Sequence, residues 1–196
     1  MAAAEAALLA LSDFPAGWSE TPSDEDSGDD ELDRQVGECF GSDGDGLFDG
    51  DAQAETGDFV SPNGGEVSQT VGISPTVEEA MAVVAAARGE GVTACLTEVY
   101  NGRFVELLQE EAGSEVEVGE VSVGALNVSP VGDEVGALRV TIPLSANGFT
   151  VDLVADQVLT RVGRSLSGLQ FVSESGPAPI ETIDEYNAVA AAKLPG

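Results

Sequence analysis

The 196-residue sequence predicts an α+β fold, an antiparallel sheet meander packed against helices, in a two-layer arrangement or a sandwich. Three observations predict it. Apolar residues recur at helical spacing from Leu96 to Leu108, and after Gly113 the pattern changes to period two. Asn147-Gly148, between two alternating runs, is the turn pair that a two-residue hairpin favours. A last stretch, 181–194, returns to helical spacing. The length suits a single α+β domain over 1–196, with a flexible acidic segment at about 19–33.

The elements follow in order. Residues 2–11 are Ala- and Leu-rich and read as a helix, stopped by the turn that Pro15 and Gly17 impose. Trp18 follows as an expected core plug, a ligand contact being the alternative. Ser19–Asp33 carries eight acids and almost no apolar residue, so it reads as a solvated segment, with a short helix over 29–40 delivering Cys39 to its end. Phe59-Val60 and Val67–Ser74 carry strand signals. Thr76 with Glu79 three residues on forms a capping-box pattern for a helix running to Arg88 and stopping at Gly89.

A second helix, from near Thr93, puts Leu96, Val99, Tyr100, Phe104, Leu107 and Leu108 on one stripe, with Cys95 in its first turn. Val116, Val118, Val121 and Val123 then alternate, and Leu138, Val140, Ile142 and Leu144 form the clearest half-buried strand. Phe149, Val151, Leu153 and Ala155 answer on the returning strand. A turn at Gly163-Arg164 leads into Leu166–Val172, and Pro177 and Pro179 close the strand region before the last helix.

Charge sets the excluded functions. Seven Lys and Arg face 36 Asp and Glu, a net charge of −29, and there is no histidine. Sequence-independent binding to nucleic acid or to anionic membrane is therefore excluded as a role. Absent histidine also removes the usual general base beside a nucleophilic Ser or Cys, and the commonest zinc ligand. Residues 1–60 hold 17 of the acids and one base, Arg34, yet the rest is strongly anionic too. Abundant Ala and Gly with a single lysine, Lys193, fits a GC-rich organism of saline habitat. An acidic surface aimed at a cationic partner is the alternative.

Cys39 and Cys95 lack the further Cys or His that a metal site needs and the His that a catalytic thiol needs. A disulfide is the preferred reading, with two half-buried free thiols as the alternative. It closes a loop of about 57 residues, stabilises by roughly 4 kcal/mol in the chain-entropy estimate, and places the protein outside the cytoplasm. Met1–Leu11 is too short for a membrane span, has no basic residue and carries Glu5, so it is not a signal peptide. The chain is expected to be a mature segment without its export signal and without a transmembrane span.

Three groups of residues invite a site. Asp43, Asp45, Asp49 and Asp51 alternate with Gly44, Gly46 and Gly50, a spacing that lets carboxylates surround calcium. The segment resembles the aspartate-rich repeats of thrombospondin type 3 modules, and a polar acidic loop is the default reading. Asp152 and Asp156 lie on the polar face of their strand, with Arg139 and Arg161 in the same sheet region. They are expected either as cross-strand ion pairs or as a ligand-binding patch on an open sheet face. Paired acids serving a hydrolase are a third possibility, and 36 acids make some close pair inevitable.

Three stretches carry a resemblance: LLALSDFPAGW at 8–18, CFG at 39–41 with DFVSP at 58–62, and the long segment ALRVTIPLSANGFTVDLVADQVLTRVGRSLSGLQF at 137–171. They resemble actinobacterial extracytoplasmic lipoproteins and sensor domains, of the PknH-type kinase sensors and the LpqN-type lipoproteins with a PsbP-like sandwich. The resemblance implies an exported or lipid-anchored protein whose helices pack on one sheet face beside a binding cleft, with no catalytic residues to carry over. The expectation is an exported, non-enzymatic, sensor-like domain that binds a small ligand or a protein partner at the cell envelope. No cofactor is expected beyond calcium at 43–51.

Overall fold

Alternation over 134–173 builds the centre of the sheet. In the computed structural model, which describes residues 2–22, 29–41, 52–112 and 116–196, three long strands form an antiparallel meander: β7 (Glu134–Ala146), β8 (Phe149–Val162) and β9 (Ser165–Ser173). Asn147 and Gly148 both take positive φ (52° and 80°), the mirror-image turn that matches strand twist. On the far side of β9 lies β4 (Glu66–Ile73), so the meander is extended by a strand from the first half of the chain. β3 (Asp58–Val60) and β1 (Ser19–Thr21) continue that edge, and β2 (Ala52–Glu55) pairs with the other end of β4. β5 (Val116–Val118) and β6 (Ser122–Ala125) flank β7.

Each face of this sheet has its own core. Leu138, Val140, Ile142, Ala155, Leu159 and Leu166 point to one side, against α3 (Val77–Ala87), α4 (Glu90–Val99) and Phe40, which follows α2 (Asp30–Cys39). Gly136 is required here: a Cβ on it would lie 2.9 Å from Ala87 Cβ, so α3 rests directly on β7. Ala137, Val158, Leu169 and Phe171 point to the other side, against α6 (Ile180–Lys193), Leu9 and Phe14. The α+β class and the antiparallel sheet are as the sequence predicts. Helices cover both faces of the sheet, where the resemblance implies packing on one.

Local departures have local causes. The first helix, α1 (Ala2–Glu5), is shorter than the expected 2–11. The backbone N–H of Leu9 instead donates to Gln69 Oε1 at 2.6 Å, while Ala4, Ala7 and Leu9 are buried against the sheet. Ser19–Thr21, expected in a solvated segment, pairs with Asp58–Val60; residues 23–28 of that segment lie outside the described residues. The second central helix begins at Glu90 rather than near Thr93, so Cys95 sits mid-helix. A π turn, Tyr100–Phe104, interrupts it before α5 (Val105–Ala112). The Asn101 side chain is responsible: it donates to Thr97 O and Val121 O and accepts from Val121 N–H at 2.8 Å, tying the turn to the approach of β6.

Candidate functional site

Cys39 closes α2 and Cys95 lies on α4, and the two form a disulfide with Cα atoms 5.7 Å apart. It fastens α2 to the helical layer over the sheet. Asp29, the N-cap of α2, also accepts from Arg103 of the π turn at 2.5 Å, which holds its carboxyl below the usual range. In the same layer Tyr100 is buried, and this pushes its hydroxyl pKa up against the opposing hydrogen bond with Gln157.

On the other face, Phe14, Trp18, Phe59, Phe171 and Tyr186 form an aromatic cluster. Phe14 is central, with ring centroids 4.7 Å from Trp18, 4.4 Å from Phe59 and 4.7 Å from Tyr186. Burial raises the pKa of Tyr186, with Glu185 adding to it. Trp18 packs against this core, as the expected core plug does, and it also lines a cleft of about 320 Å³. The cleft runs between the start of β4 and the 173–179 segment, with Val67 and Phe171 in its floor and Pro177 and Pro179 on its rim. Ser61, Ser173 and Ser175 bring hydroxyls to it. Ser61 Oγ accepts from Gly65 N–H at 2.9 Å, and Ser173 and Ser175 hydroxyls lie 3.0 Å apart. An aromatic wall beside hydroxyls and loop backbone offers a ligand stacking and neutral hydrogen bonds.

The four sheet residues expected as ion pairs or as a patch are not gathered into one place. Arg139 and Asp156 meet across β7 and β8 in a bidentate pair, at 2.5 and 2.8 Å. Asp156 is 1% exposed, because its face of the sheet is covered rather than open, and the pair raises the Arg139 pKa through this hydrogen bond. Arg161 points to the other face and binds Glu134 at 2.9 Å and Asp133 at 3.1 Å. Asp152 is exposed near the hairpin tip. Asp43, Asp45, Asp49 and Asp51 lie outside the described residues; among the described residues no group of three or more His, Cys, Asp or Glu is placed to hold a metal. Asp156 is the one buried carboxylate among them, so the two-acid constellation of a hydrolase is not formed there.

All seven basic residues are engaged in the fold. Arg34, Arg88, Arg103, Arg139, Arg161 and Lys193 make ion pairs, and Arg164 donates to the carbonyls of Ser74 and Pro75. The cleft contains none of them and includes one acid, Glu66. Its lining was hard to foresee because it comes from three places in the sequence. The Pro177/Pro179 cluster and the turn before Trp18 were the available signals.

No family model matches the sequence, and no curated protein matches it. Among solved structures it is similar to cyanobacterial PsbP (CyanoP) from Synechocystis sp. PCC 6803, at a TM-score of 0.39 and 9% identity over 92% of this chain and 82% of that one. It is also similar to the extracellular domain of PknH from Mycobacterium tuberculosis, at a TM-score of 0.32 and 10% identity over 90% of this chain and 96% of that one. No helix among the described residues is long and apolar enough to cross a membrane.

Proposed function

We propose that this chain is an exported, non-enzymatic binding domain that takes a small neutral or cationic ligand in the cleft beside Trp18. The observation that carries the reading is the cleft itself: about 320 Å³, aromatic on one side, lined by hydroxyls, and free of basic side chains. An anionic ligand would meet Glu66 and a chain of net charge −29 with no cation to receive it. The Cys39–Cys95 bond supports a location in an oxidising compartment, secreted or lipid-anchored at the envelope.

Trp18 is the one tryptophan, so its fluorescence reports the cleft directly. A library sorted by charge, containing neutral oligosaccharides, short peptides, amines and carboxylates, is titrated against the oxidised protein. Neutral or cationic compounds should change the emission and raise the melting temperature, and Trp18→Ala should abolish the stabilisation. Hits confined to anions, or stabilisation that survives Trp18→Ala, would refute the reading.

A further inference from the structure

On its β9 side the β7–β8 hairpin extends beyond the sheet. β7 pairs with β8 over Phe149–Arg161, whereas β9 pairs with β8 only over Val154–Val162. Among the described residues no strand lies beside β8 over 149–153, which leaves about 16 Å of edge at the usual rise per residue. The register shows which backbone groups are turned outward. Val162 and Ser165 close the two-residue turn to β9, so residues of β8 with even numbers bond to the β9 side. Thr150 and Asp152 share that parity, and their N–H and C=O groups are aimed at the empty edge. On the β5 side Gly119 N–H donates to Pro143 O at 2.7 Å, as this parity requires for the residue opposite Asp152.

The side chains at this edge are unlike those of a protected one. Phe149 is 78% exposed and Val151 49%, both on one face of the arm, with the half-buried Leu153 next in line. Thr150 and the exposed Asp152 occupy the other face. Glu174 follows directly where β9 ends, so acids stand at the empty edge and beside its end. Neither makes an ion pair among the described residues, and every Lys and Arg is engaged elsewhere.

We infer that this arm accepts an extended strand of a basic partner protein, added antiparallel or parallel along residues 149–153. Such a strand would present apolar residues beside Phe149 and Val151 and Lys or Arg beside Asp152, alternating with period two. Its backbone would satisfy the outward groups of Thr150 and Asp152, and its charge would be drawn by the acids and by the net charge of −29. A second copy of this chain is a poor occupant. It would bring a second −29 and set the acidic edges of two arms side by side.

The test titrates the oxidised full chain with a labelled peptide of alternating Lys and Val at 150 mM salt, reading affinity by anisotropy and location by backbone amide shifts. A peptide of the same composition with all Lys grouped at one end controls for charge alone. An N-methylated alternating peptide removes the strand's donors while the protein is unchanged. The expected result is amide shifts concentrated at 149–153, binding at least tenfold weaker for the grouped and N-methylated peptides, and similar weakening in Asp152→Lys and Phe149→Ser. Both substitutions are at exposed positions. Equal binding of the grouped peptide, shifts centred elsewhere, or no binding at millimolar peptide would overturn the inference. So would dimerisation of the free chain that Asp152→Lys abolishes, or adsorption to phosphatidylcholine vesicles that Phe149→Ser abolishes.

Discussion

Removing the Cys39–Cys95 bond by the double substitution Cys39→Ala/Cys95→Ala should lower the melting temperature by roughly 8–16 °C. The magnitude comes from the loop it closes. With the cysteines 56 residues apart, the chain-entropy estimate is about 4 kcal/mol of restraint removed from the unfolded state. A domain of this size loses about 2–4 °C per kcal/mol. The native state loses something as well. α2 has ten residues, too few to persist alone, and its other anchors are the Asp29–Arg103 pair and the packing of Leu32, Val36 and Phe40. Releasing α2 loosens Phe40 from the core beneath it. The assay is thermal unfolding by far-ultraviolet circular dichroism of the oxidised protein, the reduced protein and the double variant. Reduced protein and variant should fall together. A fall under 2 °C in both would mean that the loop is already restrained when unfolded and that α2 is held by packing alone.

Two further perturbations read other parts of the fold. Arg139→Leu strands the buried Asp156 carboxylate, and losing one partner of a buried pair costs about 3–5 kcal/mol. The figure should fall at the lower end because Arg139 is partly exposed, and Arg139→Leu/Asp156→Leu should recover most of it in urea unfolding; no recovery would refute the pairing argument. Lys193 holds Asp13, where burial pushes the carboxyl pKa up but the lysine hydrogen bond, the Ala10 N–H and the lysine charge together bring it below the usual aspartate value. A depressed carboxyl pKa contributes stability above the unfolded value, lost as pH falls through the folded one. Melting curves of the wild type and Lys193→Met should therefore differ at pH 6 and converge well below about pH 4; a constant gap would refute the assignment.

Elements whose own pattern is strong were legible in the sequence. Leu138 to Leu144 alternates because one face meets α3 and α4, Asn147-Gly148 states its turn, and Thr76 accepts from Glu79 N–H at the start of α3. The edge strands β1 and β2 were not legible. They are short, carry no apolar alternation, and exist because β3 and β4 offer them unpaired backbone. The length of α1 was decided by Gln69, sixty residues away, which takes the Leu9 N–H. Gln69 itself is buried and donates to Ser167, and Thr160 donates to Asn187 below α6. Period-two reasoning assigns such polar residues to solvent, which is why the second covered face was not anticipated. Trp18 was visible as an anchor, but the cleft around it needs Ser61, Phe171 and Pro177 to meet, and that meeting is a property of the strand order β3-β4-β9.

The placement of the few cations joins the two proposed sites. Arg34 pairs within its own helix, but the rest tie distant parts together: Lys193 to Asp13, Arg103 to Asp29, Arg88 to the backbone of Val135, Arg164 to the segment before α3, and Arg139 and Arg161 within the long strands. Basic residues therefore serve as clasps of the fold, and among the described residues Asp152 and Glu174 stand outside every ion pair. A partner at the β7–β8 arm must bring its own cations to Asp152 and Glu174, so its binding weakens as salt screens exposed charge. The cleft beside Trp18 works by stacking and neutral hydrogen bonds, with its apolar floor shielded from ions. Its affinity for a neutral ligand should be nearly indifferent to salt, so ionic strength separates the two sites on one molecule.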